Sequence, residues 1–374
     1  MGDHAQEYIN TRQNLLSQAL DLLHGYAQGD ILGKRALLAA QANPRLRCAL
    51  PTNEVLTFAA DSPKSSEQAT ILAADGSQIP PSRHDPFPFC VINVGVYQSL
   101  PNESPCEIQR TSLLTLEDVE TQQGILSEGA VNLRRDLFER QMLAELASQQ
   151  QQPVITLTDG PLELFSERRE SIEFRESVKK YIESLQALEH IGAITAGYVD
   201  RPFSDLVVRL LELSLLPEEK FSQAGGVRPL LGVRDSMLFA TFLQPGQRSA
   251  VFGIQSQQPN TPQSGLDLNF FYLNIGRPKH PSLARVETPR WVAQNPRLLA
   301  MLHGTLVDQC HKLGSQPYPY ALLRAHEIAL VSFDERKRII DMLSGEYLQR
   351  GFVLEGPSNK QFGKDNLGDR RRYS

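Results

Sequence analysis

The sequence has few of the features that mark membrane, secreted or metal-cluster proteins. No run approaches the ~18 uncharged apolar residues of a membrane-spanning helix. Residues 1–7 are polar and acidic, so we expect no signal peptide, and Gln6 stands where a myristoylation site needs Ser or Thr. The cysteines are scattered without a Cys-x-x-Cys pair: they are Cys48, Cys90, Cys106 and Cys310. This scatter argues against a zinc cluster or a disulfide framework and predicts a reducing, cytoplasmic location.

A strong charge of either sign is also missing. The net charge is −5 over 374 residues, which gives no global signature of nucleic-acid binding. If DNA is the substrate, attraction must come from local basic surface or from a metal site. The apolar content of 41% is enough for a sizeable core, and the length fits a single elaborated α/β domain or slightly more.

Two short stretches of the same design organise the chain. Residues 71–77 and 153–160 are each an apolar run that ends in Asp-Gly, at Asp75 and Asp159. Each predicts a buried strand that carries one aspartate to its end, where glycine permits a tight exit. Because Asp and Gly are also the commonest turn formers, two ordinary turns remain the alternative interpretation.

The order of elements predicts a mixed sheet. Hydrophobic patterns indicate an N-terminal helical arm over residues 1–60, then three strands, a long helix from 127 to 148 with Ser127 as N-cap, and an alternation of strands and helices. We place these later elements at 153–159, 165–187, 191–199 and 204–215. The three successive strands, at 71–75, 89–97 and 106–114, predict an antiparallel meander, and the later crossovers predict parallel pairing. This is an α/β fold with the order of ribonuclease H-like proteins.

The C-terminal part predicts added β-structure followed by helices. Strands are expected at 236–243 and 249–254 around a turn at 244–247, and again at 270–273 and 284–289. A polar loop at 255–265 separates them. Helices are expected at 296–313, 320–330 and 334–349, and the polar, basic residues 355–374 predict a disordered tail.

Three acids are candidates for one metal site. Glu139 lies on the long helix between Asp75 and Asp159, on the same face as apolar residues at i+4 and i+7. Asp136, one turn earlier, is the rival acid on that helix. Buried carboxylates repel one another and lose hydration, and a hard cation such as Mg²⁺ or Mn²⁺ removes that conflict.

Two further groups of residues are candidates for the site. Tyr318 precedes a helix that carries His326 two turns later, where a structural histidine is the alternative. Basic residues near the acids predict either DNA contacts or a solvated charged face. They are Arg134, Arg135, Arg140, Arg168, Arg169, Lys179 and Lys180.

Taken in order, these motifs resemble the NurA family of prokaryotic DNA-end-processing nucleases. The matching pieces are residues 74–77, Glu139, residues 158–162 and the pair Tyr318 and His326, so that residues 65–350 would form the NurA-like domain. The resemblance implies a ribonuclease H-like core in which Asp75, Glu139, Asp159 and His326 bind metal and Tyr318 completes the active site. It also implies Mn²⁺-dependent cleavage of single- and double-stranded DNA, a homodimer, and a HerA-type hexameric ATPase as partner.

The chemistry expected of such a site is phosphodiester hydrolysis with two ions, Mn²⁺ or alternatively Mg²⁺. His326 would protonate the leaving group or act as an outer ligand, and Tyr318 would position a phosphate. Two other classes of function remain open. One is a non-catalytic DNA-end or motor-adaptor subunit on the same fold. The other is an actin-like phosphotransferase, for which no adenosine-binding glycine cluster is evident.

Overall fold

The structure is a computed structural model that describes residues 2–63, 68–82, 87–121, 124–164, 172–255, 267–314 and 317–351. Within these ranges no helix is long and apolar enough to cross a membrane. The predicted loop at 256–265, the arginines Arg168 and Arg169, and the predicted tail at 355–374 lie outside the described residues.

The described residues form α-helices that surround one large sheet. The helices are α1 (Gly2–Gly25), α2 (Asp30–Ala42), α3 (Leu116–Val119), α4 (Glu128–Ser148), α5 (Ile172–His190), α6 (Leu206–Glu212), α7 (Asp235–Phe239), α8 (Arg290–Ala293), α9 (Pro296–His311), α10 (Tyr320–Ala329) and α11 (Phe333–Gln349). Short 3₁₀ turns follow α6 at Leu213–Leu215 and Glu218–Gln223. Ser127 caps α4 as predicted, since its side chain accepts a hydrogen bond from the Ala130 amide.

The strands belong to the large sheet, apart from one small hairpin. They are β1 (Cys48–Pro51), β2 (Ala59–Ala60), β3 (Thr70–Ile79), β4 (Cys90–Ser99), β5 (Cys106–Leu114), β6 (Glu120–Thr121), β7 (Gly124–Ile125), β8 (Val154–Asp159), β9 (Ile194–Val199), β10 (Arg248–Ser249), β11 (Phe252–Gln255), β12 (Leu268–Asn274) and β13 (Leu283–Pro289). The hairpin consists of β6 and β7.

The sheet has the predicted mixed topology. Its order is β1-β11-β12-β13-β9-β8-β3-β4-β5, with β2 and β10 attached beside β12. Strands β3, β4 and β5 form the antiparallel meander, and β8 pairs in parallel with both β3 and β9. The remaining pairs of the large sheet are antiparallel. The ribonuclease H-like α/β fold predicted from the order of elements is confirmed.

Alternate residues of β3 face two different cores. Leu72 and Ala74 pack beneath α4 and α5, whereas Ala73 faces the opposite layer formed by α9 and α10. This period of two is what a strand buried on both sides requires. A third cluster packs α1, α2 and α6 against β11 and β12, so the N-terminal helices share a core with the C-terminal β-structure. The predicted domain boundaries remain predictions.

Two local predictions were wrong. Asp75-Gly76 does not end a strand, because β3 continues to Ile79 and pairs with β4 through its whole length, and Gly76 has no positive φ. Residues 236–243, predicted as a strand, instead hold α7 at Asp235–Phe239. A short apolar run fits either a buried helix or a strand, and here Leu238 and Phe239 are the buried pair at helical spacing from Asp235.

Candidate active site

The two aspartates meet because their strands are parallel neighbours. In the register of β3 and β8, Ala74 lies level with Thr158, which brings the following residues, Asp75 and Asp159, out side by side. Adjacent strands lie roughly 4.8 Å apart, so the two carboxylates share one edge of the sheet. Strand β8 ends at Asp159, and Gly160 turns away with φ of +87°, as the sequence predicted for this motif.

Glu139 reaches the same place from above the sheet. It lies on the buried face of α4 and is 4% exposed. A Cβ at Gly76 would stand 2.7 Å from the Glu139 Oε1 atom and 2.6 Å from the Arg135 Cγ atom. The glycine after Asp75 therefore makes room for the helix side chains and does not form a turn. Asp136, the rival acid, lines the same cavity but is more exposed.

The acids crowd enough to perturb one another. Burial raises the pKa of Glu139 well above its ordinary value, and the charges of Asp136 and Asp75 add to this effect. The pKa of Asp159 is raised by partial burial and by Asp75, although its side chain still reaches solvent at the cavity mouth. Like charges at one site oppose the ionised forms. A positive charge is needed to hold these acids ionised together.

Two arginines of α4 supply part of that charge. The Arg135 Nη2 atom lies 2.9 Å from the Asp136 Oδ1 atom, and its Nε atom lies 3.5 Å from the Glu139 Oε1 atom. Arg140 is buried beside Glu139, donates from Nε to the Tyr181 hydroxyl at 3.3 Å, and has no partner for Nη1 within the described residues. Both guanidinium groups oppose the rise in the Glu139 pKa.

His326 binds Asp75 directly. Its Nδ1 atom lies 2.6 Å from the Asp75 Oδ2 atom, and the second carboxylate oxygen accepts from the Gly76 amide at 2.8 Å. Helix α10 can lie this close because Gly95, the cross-strand partner of Asp75, has no side chain. A Cβ there would stand 2.6 Å from the Ala329 nitrogen and 2.7 Å from the Ala325 oxygen.

Tyr318 binds the other aspartate. Its hydroxyl donates to the Asp159 carboxylate, and this hydrogen bond opposes part of the rise in the Asp159 pKa. Burial raises the pKa of the tyrosine itself. The Tyr318 ring meets Tyr198 edge to face at 5.5 Å. The Tyr318 hydroxyl thus contacts a carboxylate of the cavity, and its predicted role in positioning a phosphate stays a prediction.

The five predicted site residues thus form one connected group. Asp75, Glu139 and Asp159 line a cavity of about 460 Å³, and His326 and Tyr318 stand behind it through their hydrogen bonds to the two aspartates. Of the predicted basic residues, Arg135 and Arg140 line the cavity, Arg134 bonds to the Asp118 carbonyl, and Lys179 and Lys180 are exposed on α5.

The donor chemistry fits a hard divalent cation. The cavity is lined by carboxylate oxygens from three separate elements, which repel one another and are only partly compensated by arginine. In the described parts of the chain, no three His, Cys, Asp or Glu side chains already stand as a metal-binding group. Arg135 engages Glu139 and His326 engages Asp75, so an ion that bound here would compete with these partners for the two acids.

Sequence reasoning missed the residues that support the Asp159 side of the cavity. Glu287, on β13, accepts hydrogen bonds from the backbone of residues 162 and 163, and Arg47 pairs with Glu163. The available signal was the pair Arg285 and Glu287, two charged residues on one face of an otherwise apolar strand.

Comparison with known protein families matches residues 69–331 to the NurA domain. This match covers most of the chain. The protein belongs to the NurA family. The resemblance drawn from the short motifs is therefore confirmed, and it accounts for the ribonuclease H-like sheet. No curated protein sequence matches the chain.

Among the solved structures that resemble the chain, a NurA nuclease shows its fold. The NurA nuclease from Sulfolobus solfataricus matches with a TM-score of 0.50 at 12% identity, over 93% of this chain and 98% of that chain. The catalytic domain of human endonuclease V matches with a TM-score of 0.36 at 13% identity, over 83% of this chain and 95% of that one. A type 1 RNase H with the type 2 active-site motif matches with a TM-score of 0.23 at 11% identity, over 45% and 78% of the two chains.

Proposed function

We propose that this NurA-family nuclease is a metal-dependent deoxyribonuclease that hydrolyses phosphodiester bonds at DNA ends, on single and double strands. One observation carries the proposal. Asp75 and Asp159 emerge side by side from parallel strands, and Glu139 descends onto them from α4 into a single cavity. Mutually repelling carboxylates are the ligand set for Mn²⁺ or Mg²⁺, and three of them suit two ions.

The bound cations would supply an activated water and stabilise the charge of the leaving oxygen. The protein's own side chains orient and exchange protons. Asp75 accepts a hydrogen bond from the Nδ1–H group of His326. In the imidazolium form of His326 the Nε2 atom carries the second proton and can pass it to the leaving oxygen, which leaves a neutral ring with its proton on Nδ1. Tyr318 holds Asp159 in place, since its hydroxyl donates to that carboxylate. Arg135 is the more exposed of the two arginines that line the cavity, and it would bind an incoming phosphate.

The biological setting follows from the family. We propose that the enzyme works as a homodimer with a HerA-type hexameric ATPase in the resection of double-strand breaks. The four cysteines are free thiols, which suits a reducing cytoplasm. A non-catalytic adaptor on the same fold is the competing function, and an activity assay separates the two.

The test is cleavage of end-labelled linear DNA in Mn²⁺, Mg²⁺ or EDTA, with wild type beside Asp75→Ala and Asp159→Ala. We expect metal-dependent cutting by wild type and none by either variant, while both variants stay folded because removing one acid relieves repulsion. Near wild-type cutting by either variant would overturn the site assignment. If wild type alone is silent, the ATPase partner is added, and continued silence supports the adaptor.

A further inference from the structure

The segment that follows Asp159 crosses the neighbouring strand of the sheet. Residues 160–163, called here the Asp159 loop, leave β8 and pass over β9. The Gly160 amide donates to the Tyr198 carbonyl at 2.8 Å at the start of this crossing. What fixes the loop also fixes the direction in which Asp159 faces, because the two are joined by one peptide bond.

A buried carboxylate holds the loop from below. Glu287 is 0% exposed, and its Oε2 atom accepts from the Leu162 amide at 2.8 Å and from the Glu163 amide at 3.1 Å. Its other oxygen accepts from the Arg285 guanidinium at 2.5 Å. Every oxygen of this acid is therefore used, and two of its bonds reach a chain segment more than a hundred residues away.

The neighbouring strand makes room for this reach. Gly197 on β9 is the cross-strand partner of Glu287 on β13. A Cβ at Gly197 would stand 2.6 Å from the Gly160 oxygen and 3.0 Å from the Leu162 nitrogen. The loop can lie on the sheet, and its amides can meet the carboxylate, only because this position has no side chain.

The loop is held from above by the wall of the cavity. The Tyr181 hydroxyl donates to the Leu162 carbonyl at 2.9 Å and accepts from Arg140, the residue next to Glu139. The Asp159 loop is therefore bonded to Glu287 on one side and, through Tyr181, to the neighbour of Glu139 on the other. Burying an ion pair in the sheet is a poor way to gain stability, since apolar residues of similar volume often serve as well or better. Glu287 therefore calls for an explanation beyond stability.

We infer that Glu287 is a positioning residue for Asp159, acting through the two loop amides to hold that carboxylate toward the cavity and its cation. The link to a cation rests on the proposed nuclease function. The clamp on the loop does not, because it is defined by contacts within the chain. Outer partners that orient a ligand typically change metal affinity by about 10–100-fold when they are removed.

The decisive variant is Glu287→Asp, which keeps the negative charge near Arg285 but withdraws the carboxylate from the loop by about one C–C bond. Its matched control is Glu212→Asp in the core that packs α1, α2 and α6, where a buried acid accepts from the Leu230 amide and pairs with arginine, as Glu287 does. A second variant, Gly197→Ala, disturbs the same loop from the adjacent strand and touches no carboxylate.

Two measurements are made on the full chain: Mn²⁺ binding by calorimetry, and hydrogen exchange of the Leu162 and Glu163 amides. We expect Glu287→Asp and Gly197→Ala to bind Mn²⁺ about 10–100-fold more weakly and to exchange these amides faster. Glu212→Asp should lower the unfolding temperature while it leaves both readouts at wild-type values.

The two claims fail in different ways. Faster exchange with unchanged Mn²⁺ affinity overturns the positioning role, and unchanged exchange overturns the clamp itself. Weakened binding in Glu287→Asp, together with wild-type binding and faster exchange in Gly197→Ala, would show that Mn²⁺ affinity does not depend on the loop and would also overturn positioning. If wild type binds no Mn²⁺, the proposed nuclease function fails, and the exchange data alone then decide whether the clamp exists.

Discussion

Arg135 offers a sharp test of how charge is balanced in the cavity. Its guanidinium pairs with Glu139 and Asp136 and feels the charge of Asp75, so a divalent cation must compete with it for the same acids. Replacing it in Arg135→Gln keeps a polar side chain on α4 and removes the charge together with the guanidinium contacts to Asp136 and Glu139. We expect this variant to be less stable without metal and to bind Mn²⁺ more tightly.

The size of the effect follows from distance and exposure. At an effective dielectric constant of about 20, unit charges 3.5 Å apart attract by roughly 5 kcal/mol. The Arg135 side chain is 31% exposed and Arg140 remains beside Glu139, so solvent and the second arginine reduce the net loss to about 1–3 kcal/mol. For a cooperative unit of 374 residues this corresponds to a fall in Tm of about 1–4 °C. A gain of about 1.4 kcal/mol in cation binding is a tenfold gain in affinity.

The assay pairs thermal unfolding in EDTA with Mn²⁺ titration by calorimetry. Arg134→Gln is the matched control, because Arg134 is the preceding residue of α4 and its guanidinium bonds only weakly, at 3.4 Å, to the Asp118 carbonyl. Arg135→Gln should unfold earlier in EDTA and recover in Mn²⁺, whereas the control should follow wild type in both. Weaker or unchanged Mn²⁺ binding by Arg135→Gln would refute the competition between guanidinium and metal.

Two further predictions concern the helix behind Asp75 and the core far from the cavity. Gly95→Ala places a Cβ against α10, so we expect a loss of about 1–3 kcal/mol of stability and a fall in the cleavage rate toward that of His326→Ala; wild-type rates with both variants would return His326 to a structural role. Burial raises the pKa of Asp235 to about 7, so its contribution to stability is complete below about pH 4 and is lost as the pH rises through 7. Urea unfolding between pH 5 and pH 8 should show this decline in wild type and a flatter profile in Asp235→Asn, and parallel profiles would contradict the raised pKa.

The sequence predicted the placement of the candidate acids in strands and helices where local pattern decides it. An apolar run before Asp75 and another before Asp159 indicated buried strands, and the helical spacing of Glu139 from Leu143 indicated an inward acid. These are short-range signals, because the periods of strands and helices decide the side to which each side chain points. The fold class followed from the order of the same elements.

Long-range contacts left no such trace. His326 meets Asp75 across 251 positions, and Glu287 meets Leu162 across 125. The local sequence pattern around His326 or Glu287 does not predict its partner. Residues 236–243 were predicted wrongly for a different reason. A short apolar segment fits both the helix period and the strand period, and only its tertiary surroundings select α7.

Three glycines explain why the cavity forms where it does. Gly76, Gly95 and Gly197 all lie in strands without a positive φ, so none is there to make a turn. Each instead lets another element approach the sheet: α4 at Gly76, α10 at Gly95 and the Asp159 loop at Gly197. Glycine weakens the interior of a strand. In this sheet it occurs at the three points where Glu139, His326 and the Asp159 loop come closest to the strands. In the sequence Asp75-Gly76 looks like a turn, yet its glycine belongs to the site as much as its aspartate does, because a methyl group there would occupy the space that Glu139 and Arg135 need.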